Sequence, residues 1–341
     1  MRCGILRGND LHTYRLFQGL RSCGIESVVI QDENIPKGAY DIVFVDPSFP
    51  RSVSHDMGSK IIFFDCEDDP RHFDPGEAYY SLKDHVEFYA KMVYVEDDRK
   101  DGIKNIAFPI QNFIQLSNFA KSDLSDIPYS FDPVFIGVPT WCIPDSVVEG
   151  GLYSFDEEQD IHSIVTVTKE VLDSLDPECT NNIRYNQRVD WLLSMEKSGI
   201  HFEGGLVFKE DDCYSQDFVS NLFGKGVRKW AHDPISYQQN LMSIIQNKVA
   251  LCPTGHDRIS WRTFDIMAAG SILFWTDVED RKMLYMPKSF VKVKDGDNLG
   301  ECLQEHEKYY EELLGESRRN SELMSSLTPE VVKKDFLHQL D

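Results

Sequence analysis

The chain has 341 residues, 41% of them hydrophobic and 27% charged, so we expect two packed globular units and exclude a disordered or fibrous protein. Acidic residues number 57 against 35 Lys and Arg, which gives a formal net charge of −22. Proteins that bind nucleic acids use basic residues to displace counterions from phosphates, so we expect no nucleic-acid partner. Any anionic ligand must be bound by a local group of basic residues.

The start of the chain and its cysteines favour a cytoplasmic protein. No apolar stretch typical of a secretory signal follows Met1, and no apolar run reaches the roughly 20 residues of a transmembrane helix. Eight cysteines are scattered singly, without the spacing of a metal site, so we expect reduced and mostly packed thiols. They are Cys3, Cys23, Cys66, Cys142, Cys179, Cys213, Cys252 and Cys302.

In the first half, short apolar runs alternate with helical stretches. Runs that are apolar on both faces are typical of a parallel sheet covered by helices. An apolar stripe predicts a helix over Asp10–Cys23, ended by Gly24, so the chain opens with a βαβ unit. A polar stretch from Gln111 to Asp132 is predicted to be an interdomain linker with room for a helical turn. The predicted strands are Cys3–Leu6, Ser27–Ile30, Asp41–Val45, Lys60–Phe64 and Met92–Val95.

The second half repeats this alternation, beginning with a predicted strand at Pro133–Val138. Its helices are predicted at Arg184–Lys197, Ser236–Asn247 and Ser260–Ala269. Its other strands are predicted at Ile200–Phe208, Lys248–Pro253, Ser271–Trp275 and Ser289–Val293. Leu303–Leu340 is predicted to be helical, with breaks near Gly315 and Pro329. We interpret His201 as a packed core histidine. The pattern predicts an α/β chain with domains at 1–115 and 133–300, followed by helices at 301–341.

Several common site motifs are absent from the sequence. We find no GxxxxGK[ST] phosphate loop, no GxGxxG dinucleotide fingerprint, no GxSxG elbow and no HExxH metal helix. Acidic clusters such as Glu67-Asp68-Asp69 are expected by chance in so acidic a chain. The sequence therefore predicts no metal site.

The segment from Lys248 to Trp275 has the order strand, glycine-bearing loop, helix, glycine, strand. In an open α/β sheet, the carboxyl end of a strand is where ligands bind, and free N–H groups at the start of a helix favour phosphate there. His256, Arg258 and Arg262 add cationic or donor groups, and Ser260 is the predicted N-cap. The alternative is that the two arginines are solvated or pair with Asp257 and Asp265.

This segment resembles the donor-binding core of GT-B glycosyltransferases, in particular the exostosin-like and CgeB-like groups. The resemblance implies two Rossmann-like domains facing across a cleft, with a nucleotide-sugar donor held by the second domain and a glycan or other acceptor by the first. Family members often have Glu where Asp265 stands, and usually a Cys or Val-Pro run after the glycine. The matching positions are Pro253, Gly255, Ser260, Arg262, Asp265, Ala268, Ala269, Gly270 and the strand Ser271–Trp275.

The resemblance also implies which residues would bind a UDP- or GDP-linked donor. The arginines and backbone N–H groups would stabilise the leaving diphosphate without a metal or other cofactor, and Asp265 would bind a hydroxyl of the donor. The expected donor-binding residues are Thr254, Gly255, His256, Arg258, Ser260, Arg262 and Asp265.

A base that deprotonates the acceptor is expected on loops at the carboxyl ends of the first-half strands. Such loops carry Asp65, Glu67, Asp68 and Asp69 after one predicted strand and Asp10 after another. Alternatively, the first group is a solvated acidic loop and Asp10 is a helix N-cap. Asp46-Pro47-Ser48, after a third predicted strand, is expected to contact the acceptor.

Two other functions fit the same pattern. One is a nucleotide-sugar epimerase-like enzyme of similar architecture, which would need no acceptor. The other is a non-catalytic protein that binds a nucleotide or glycan. The sequence leaves open the identity of the sugar, the acceptor and the stereochemical outcome.

Overall fold

Two parallel sheets organise the chain, in agreement with the two predicted α/β halves. The structure, a computed structural model, describes residues 1–6, 10–31, 33–65, 76–91, 93–94, 104–107, 113–139, 153–156, 161–164, 187–210, 215–223, 225–253, 260–276, 282–294 and 297–341.

The first sheet has six parallel strands. They are β1 (Arg2–Leu6), β2 (Glu26–Ile30), β3 (Ile42–Val45), β4 (Lys60–Asp65), β5 (Phe88–Lys91) and β7 (Lys104–Ala107). Their order in the sheet is β2-β1-β3-β4-β5-β7, so the order reverses between β1 and β3. Helices in this half are α1 (Asp10–Ser22), α2 (Glu77–Leu82) and α3 (Phe113–Ala120).

The second sheet has five parallel strands. These are β8 (Ser130–Gly137), β11 (Glu203–Leu206), β12 (Asn247–Cys252), β13 (Ile272–Thr276) and β15 (Val291–Val293). Every residue of β12 and β13 is buried, as expected for strands covered on both faces. The order is β11-β8-β12-β13-β15, so the chain adds β11 on one side of β8 and β12 on the other, and the reversal lies between β8 and β12.

The helices of the second half end and begin at recognisable local signals. They are α4 (Gln187–Lys197), α5 (Gln216–Phe223), α6 (Tyr237–Gln246), α7 (Trp261–Ala269), α8 (Leu299–Glu307), α9 (Tyr310–Ser326) and α10 (Pro329–Gln339), with a 3-10 helix at Lys225–Trp230. Ser236 and Gln239 form a reciprocal capping box at the start of α6, and Gly270 ends α7 with a left-handed φ of 65°.

The C-terminal helices pack against the first half of the chain. Phe336 of α10 is fully buried, with its ring 6.2 Å from that of Phe44 in β3. Lys60 Nζ, at the start of β4, donates a hydrogen bond of 2.7 Å to the carbonyl of Leu340. A short antiparallel pair also joins the halves, between β6 (Val93–Tyr94) and β14 (Lys282–Met283). The last forty residues therefore pack against strands from both halves.

Several boundaries differ from the sequence predictions. The predicted linker contains α3, because Phe113 and Leu116 supply a buried apolar face despite the polar residues around them. Gly315 lies inside an unbroken α9, where tertiary packing outweighs the weak helix propensity of glycine. Within the predicted strand Met92–Val95, the short β6 covers Val93–Tyr94, and β5, which precedes it, was not predicted. A further antiparallel pair, β9 (Tyr153–Asp156) with β10 (Ile161–Ile164), was not predicted.

His201 is not a core residue, contrary to the prediction. Its side chain is 71% exposed, and its Nδ1 lies 3.6 Å from Asp132 Oδ1. The residue precedes β11, at the edge of the second sheet, where a histidine can reach solvent. The sequence interpretation failed because a short edge strand has the same apolar pattern as a central one.

The described cysteines agree with packed thiols. Cys3, Cys23 and Cys252 are buried and free, and Cys302 is free and half-buried. Burial raises the pKa of the Cys23 thiol to about 11, so it stays protonated at neutral pH. Among the described residues, no helix is long and apolar enough to span a membrane.

We predict that Phe336→Ala destabilises the chain strongly, because it opens a cavity beneath β3 where α10 packs. Large-to-small changes of a buried Phe cost about 3–5 kcal/mol. Val331→Ala on the same helix is the matched control, since Val331 is 38% exposed and should change stability by less than about 0.5 kcal/mol. Urea unfolding of both variants measures the difference. Equal stabilities would show that α10 does not pack against β3.

Candidate active site

The point where the strand order of the second sheet reverses is the natural place for a ligand. In open α/β sheets, ligands bind outside the carboxyl ends of the strands at such a point. In this sheet β8 and β12 lie on its two sides, and α7 follows β12. The first turn of α7 therefore lies beside the carboxyl ends of both strands.

Arg262 in the first turn of α7 extends to the end of β8. It donates a hydrogen bond to the carbonyl of Ile136, and its guanidinium lies 4.8 Å from the centre of the Phe135 ring. Burial lowers the pKa of Arg262, against the attraction of Cys252 and Asp265. Within the described part of the chain, no carboxylate forms an ion pair with this guanidinium. Asp257, the other predicted partner of the arginines, lies outside the described residues. Among the residues that are described, Arg262 keeps several N–H donors available to a ligand.

Arg188 approaches the same strand end from α4. Its guanidinium donates a hydrogen bond of 2.5 Å to the carbonyl of Val138 and lies 5.9 Å from the Phe135 ring centre. Gly137 makes room for the Arg262 guanidinium and the Phe135 ring, because a Cβ there would lie 3.4 Å from the first and 2.9 Å from the second. Two positive groups therefore lie around one phenyl ring, and each donates to a backbone carbonyl at the end of β8.

Further polar side chains lie at the same edge. The amide of Gln187, at the start of α4, donates to Thr276 Oγ1 over 3.3 Å at the end of β13, and both side chains are buried. Ser260 occupies the N-cap position of α7 as predicted, but its hydroxyl does not cap the helix. It lies 3.5 Å from Cys252 Sγ, which is also 3.3 Å from Thr263 Oγ1. The first N–H groups of α7 are therefore not occupied by the serine side chain.

Asp265 does not form the predicted alternative ion pair with Arg262. It is 6% exposed, and its Oδ1 accepts a hydrogen bond of 2.8 Å from the hydroxyl of Tyr237 at the start of α6. Burial raises the pKa of Asp265 to about 6, although the Tyr237 hydrogen bond and Arg262 both lower it. Partial burial of the Tyr237 hydroxyl raises the pKa of this phenol, and the neighbouring Asp265 carboxylate raises it further. The site thus holds a carboxylate whose charged form is disfavoured.

The structure brings together only part of the predicted site. Ser260, Arg262 and Asp265 lie on or beside the first turns of α7. Thr254, Gly255, His256 and Arg258 lie outside the described residues, as do Glu67, Asp68 and Asp69. The remaining predicted residues, Asp10 and Asp65, are described in their backbone positions.

The strand ends of the first sheet carry acidic residues. α1 begins at Asp10, after β1, and Asp65 is the last residue of β4. Asp46 follows β3 directly and is 8% exposed, with its Oδ1 accepting hydrogen bonds from the backbone N–H of Ser48 at 2.9 Å and its hydroxyl at 2.6 Å. Asp10 and Asp46 therefore stand on either side of the β1–β3 reversal point.

Sequence reasoning missed Arg188, Gln187 and Tyr237 as site residues. Each is distant from α7 in the chain. Tyr237 contacts Asp265 of α7, whereas Arg188 and Gln187 lie at the carboxyl ends of β8 and β13. The strand order that gathers them is not revealed by any local pattern. Gly137 was the one available signal, because a glycine directly after an apolar strand run indicates close approach of another group. In the part of the chain that the structure describes, the three side chains close enough to share a metal ion are Asp132, His201 and Glu203, at the other end of the sheet.

Comparisons with known proteins give structural similarities only. No protein-family model matches the chain, and no curated protein matches it in sequence. A crystal structure of Anabaena Alr3699/HepE in complex with UDP and glucose is similar at a TM-score of 0.49 and 11% identity, covering 100% of this chain and 99% of that chain. An alpha-glucosyltransferase in complex with UDP and a 13-mer DNA containing a central A:G mismatch is similar at a TM-score of 0.39 and 9% identity, covering 99% and 95%. Similarities of this size do not identify a function for the chain.

We predict that Asp265→Asn stabilises the chain at pH 7.5 but not at pH 4. The folded-state pKa of Asp265 is raised to about 6, so its contribution to stability is full below the pKa of the unfolded chain and is lost as the pH rises through about 6. Asn stays neutral and can still accept the Tyr237 hydrogen bond. The gain at pH 7.5 should be on the order of 2–3 kcal/mol.

Urea unfolding at both pH values measures this difference. Asp217→Asn is the matched control, because the Asp217 side chain is 83% exposed and pairs with Arg228 at the surface. A variant that is equally destabilised at both pH values would contradict the raised pKa of Asp265.

Proposed function

We propose that the chain is a glycosyltransferase that moves a sugar from a nucleotide-diphosphate donor to an acceptor hydroxyl. The observation that carries this proposal is Arg262, half-buried at the β8–β12 reversal point without a carboxylate partner among the described residues. Asp265 attracts this guanidinium without pairing with it. A guanidinium with which no described carboxylate pairs is stabilised by a bound anion. The chain has a net charge of −22, so Arg262 is not part of a generally basic surface. Its position at the point where open sheets bind ligands instead favours a bound anion.

A diphosphate suits the arrangement better than a single carboxylate ligand. Arg262 and Arg188 approach the end of β8 from two different helices, and the N-terminus of α7 adds backbone N–H groups with a positive partial charge. As the bond to the sugar breaks, negative charge develops on the leaving diphosphate. Prearranged cationic donors stabilise that charge, and in this proposal they act in place of a metal ion.

The Asp265–Tyr237 pair would bind the rest of the donor. One carboxylate oxygen of Asp265 accepts the Tyr237 hydroxyl, so the other is available to a hydroxyl of the ribose or the sugar. Asp265 is shorter than the Glu that is common in the resembling families. In this proposal, the hydrogen bond from Tyr237 fixes the orientation of the shorter carboxylate. UDP and GDP are the nucleotides expected from the resemblance.

The first sheet would hold the acceptor, with its β1–β3 reversal point facing the donor across a cleft between domains 1–115 and 133–300. The acidic ends of β1, β3 and β4 supply candidates for the base. Asp10, Asp65, Glu67, Asp68 and Asp69 stay candidates, with Asp46 positioned beside them. We propose a glycan acceptor and a cytoplasmic site of action, as the sequence interpretation favours.

We predict that Arg262→Ala abolishes most of the nucleotide-diphosphate binding. Losing one charged contact in a desolvated site should cost about 2–4 kcal/mol of binding free energy. Calorimetry with UDP and GDP measures the affinity. Arg228→Ala is the matched control, since Arg228 lies in the same half and forms an exposed ion pair with Asp217 at 2.6 Å. A folded Arg262→Ala protein with unchanged affinity for both nucleotides would remove the central assignment.

We also predict that Arg188 and Arg262 act on the same ligand. In a double-mutant cycle, Arg188→Ala and Arg262→Ala should then be non-additive, with a coupling free energy of at least about 0.5 kcal/mol for UDP binding. Circular dichroism establishes that each variant is folded. Strict additivity would place the two guanidiniums on different ligands.

Product analysis separates glycosyl transfer from the alternative functions. Incubation with a nucleotide sugar alone should yield at most slow hydrolysis, whereas addition of a suitable acceptor should yield the glycosylated product. Efficient formation of an epimer without acceptor would instead identify an epimerase-like enzyme. Donor binding with no turnover, unchanged when the Asp65–Asp69 carboxylates are replaced, would identify a binding protein.

A further inference from the structure

The amino end of the second sheet carries three potential metal ligands, on β8 and on the segment that leads into and begins β11. β8 and β11 are parallel, and Glu203 pairs with Val134. Two residues earlier on each chain segment, His201 therefore lies beside Asp132. Residues separated by two positions point to the same face of a strand, so His201 and Glu203 share a face. The strand register itself thus brings the imidazole and both carboxylates together.

The distances between these groups suit a shared ion. The ligand atoms of Asp132, His201 and Glu203 all lie within 4.8 Å of one another. His201 Nδ1 lies 3.6 Å from Asp132 Oδ1. Nitrogen and oxygen ligands bind zinc at about 2.1 Å, which places two tetrahedral ligands about 3.4 Å apart. The His201–Asp132 distance is longer than a hydrogen bond and close to this separation.

We propose that Asp132, His201 and Glu203 form a binding site for a divalent transition-metal ion, with Zn²⁺ as the best match. An imidazole ligand favours zinc over Mg²⁺ and Ca²⁺, which take oxygen ligands. The three side chains are partly or fully exposed, so an ion can enter without a rearrangement of the core. Three protein ligands leave a coordination position for water or another ligand.

A cavity of about 260 Å³ adjoins the site. Asp132 and His201 belong to its wall, together with Gln304, Glu307 and Tyr310 from the C-terminal helices α8 and α9. An ion bound to the three ligands would therefore stand at the wall of this cavity. A bound ion would link the segment at the start of the edge strand β11 to β8, the next strand of the sheet. It would also lie beside the helices α8 and α9.

This site is separate from the proposed donor site. Asp132 lies near the start of β8, whereas Arg262 contacts its end at Ile136. A strand rises about 3.3 Å per residue, so the two ends of β8 are more than about 13 Å apart. The expected effect of the ion is on stability, and the inference stands whether or not the chain transfers sugars.

The test is a titration of the metal-free full chain with Zn²⁺, Mg²⁺ and Ca²⁺, followed by calorimetry and thermal unfolding. We expect Zn²⁺ to bind and raise the Tm, and equimolar Mg²⁺ and Ca²⁺ to leave it unchanged. Asp132→Asn and His201→Gln should each weaken this Zn²⁺ binding by at least about tenfold, by analogy with the loss of metal-site residues. His85→Ala is the matched control, because it removes an exposed histidine stacked 3.9 Å from His55.

A second measurement separates this site from zinc bound by thiols elsewhere in the chain. Co²⁺ in a nitrogen and oxygen site should show no thiolate charge-transfer absorption, and its visible bands should disappear in His201→Gln. The proposal is overturned if wild-type and both variant chains bind Zn²⁺ with equal stoichiometry and affinity. Thiolate absorption that persists in both variants as the sole Co²⁺ signal would also overturn it. Unchanged Tm values of the metal-free variants establish that they are folded.

Discussion

The contact between Arg262 and the carbonyl end of β8 is the interaction on which the site depends. A guanidinium removed from water usually pairs with a carboxylate, because desolvation of an unpaired charge is costly. Arg262 instead has a backbone carbonyl and the face of Phe135, and it lies at the positively charged end of a helix. These contacts orient the group without neutralising it. The fold therefore keeps a local positive charge where the strand order provides an opening.

The carboxylate nearest to this charge along α7 is also held apart from it. Asp265 lies one helical turn after Arg262, yet its hydrogen bond goes to Tyr237. Arg262 and Asp265 attract each other, but without a direct ion pair each keeps hydrogen-bonding atoms for a ligand. Perturbed ionisable groups of this kind are concentrated at functional sites, although structural networks also produce them. The arrangement is consistent with a site that favours ligand binding over maximal stability of the empty chain.

Local signals in the sequence were sufficient for the segment that builds this site. The apolar run of β12, the stripe of α7 and the positive φ of Gly270 are properties of neighbouring residues, so strand, helix and turn could be predicted. Arg188 could not, because only the placement of β8 between β11 and β12 brings it to the strand end that Arg262 contacts. α3 was predicted only as a helical turn within a linker, because polar residues surround its apolar ones. His201 was misplaced because strand patterns do not reveal an edge. What could not be predicted is thus what depends on strand order.

The two ends of strand β8 carry different groups of side chains. Its carbonyl end faces the arginines, and its amino end meets β11 where Asp132 and His201 lie together. Residues farther apart than about 10 Å and without shared partners usually contribute independently to stability. The two ends of β8 meet that condition, since the contacts at one end involve none of the residues named at the other. A parallel sheet can therefore hold a reactive anion site at its carboxyl edge while a metal or an ion pair secures the opposite edge, because its strands direct all their carboxyl ends the same way.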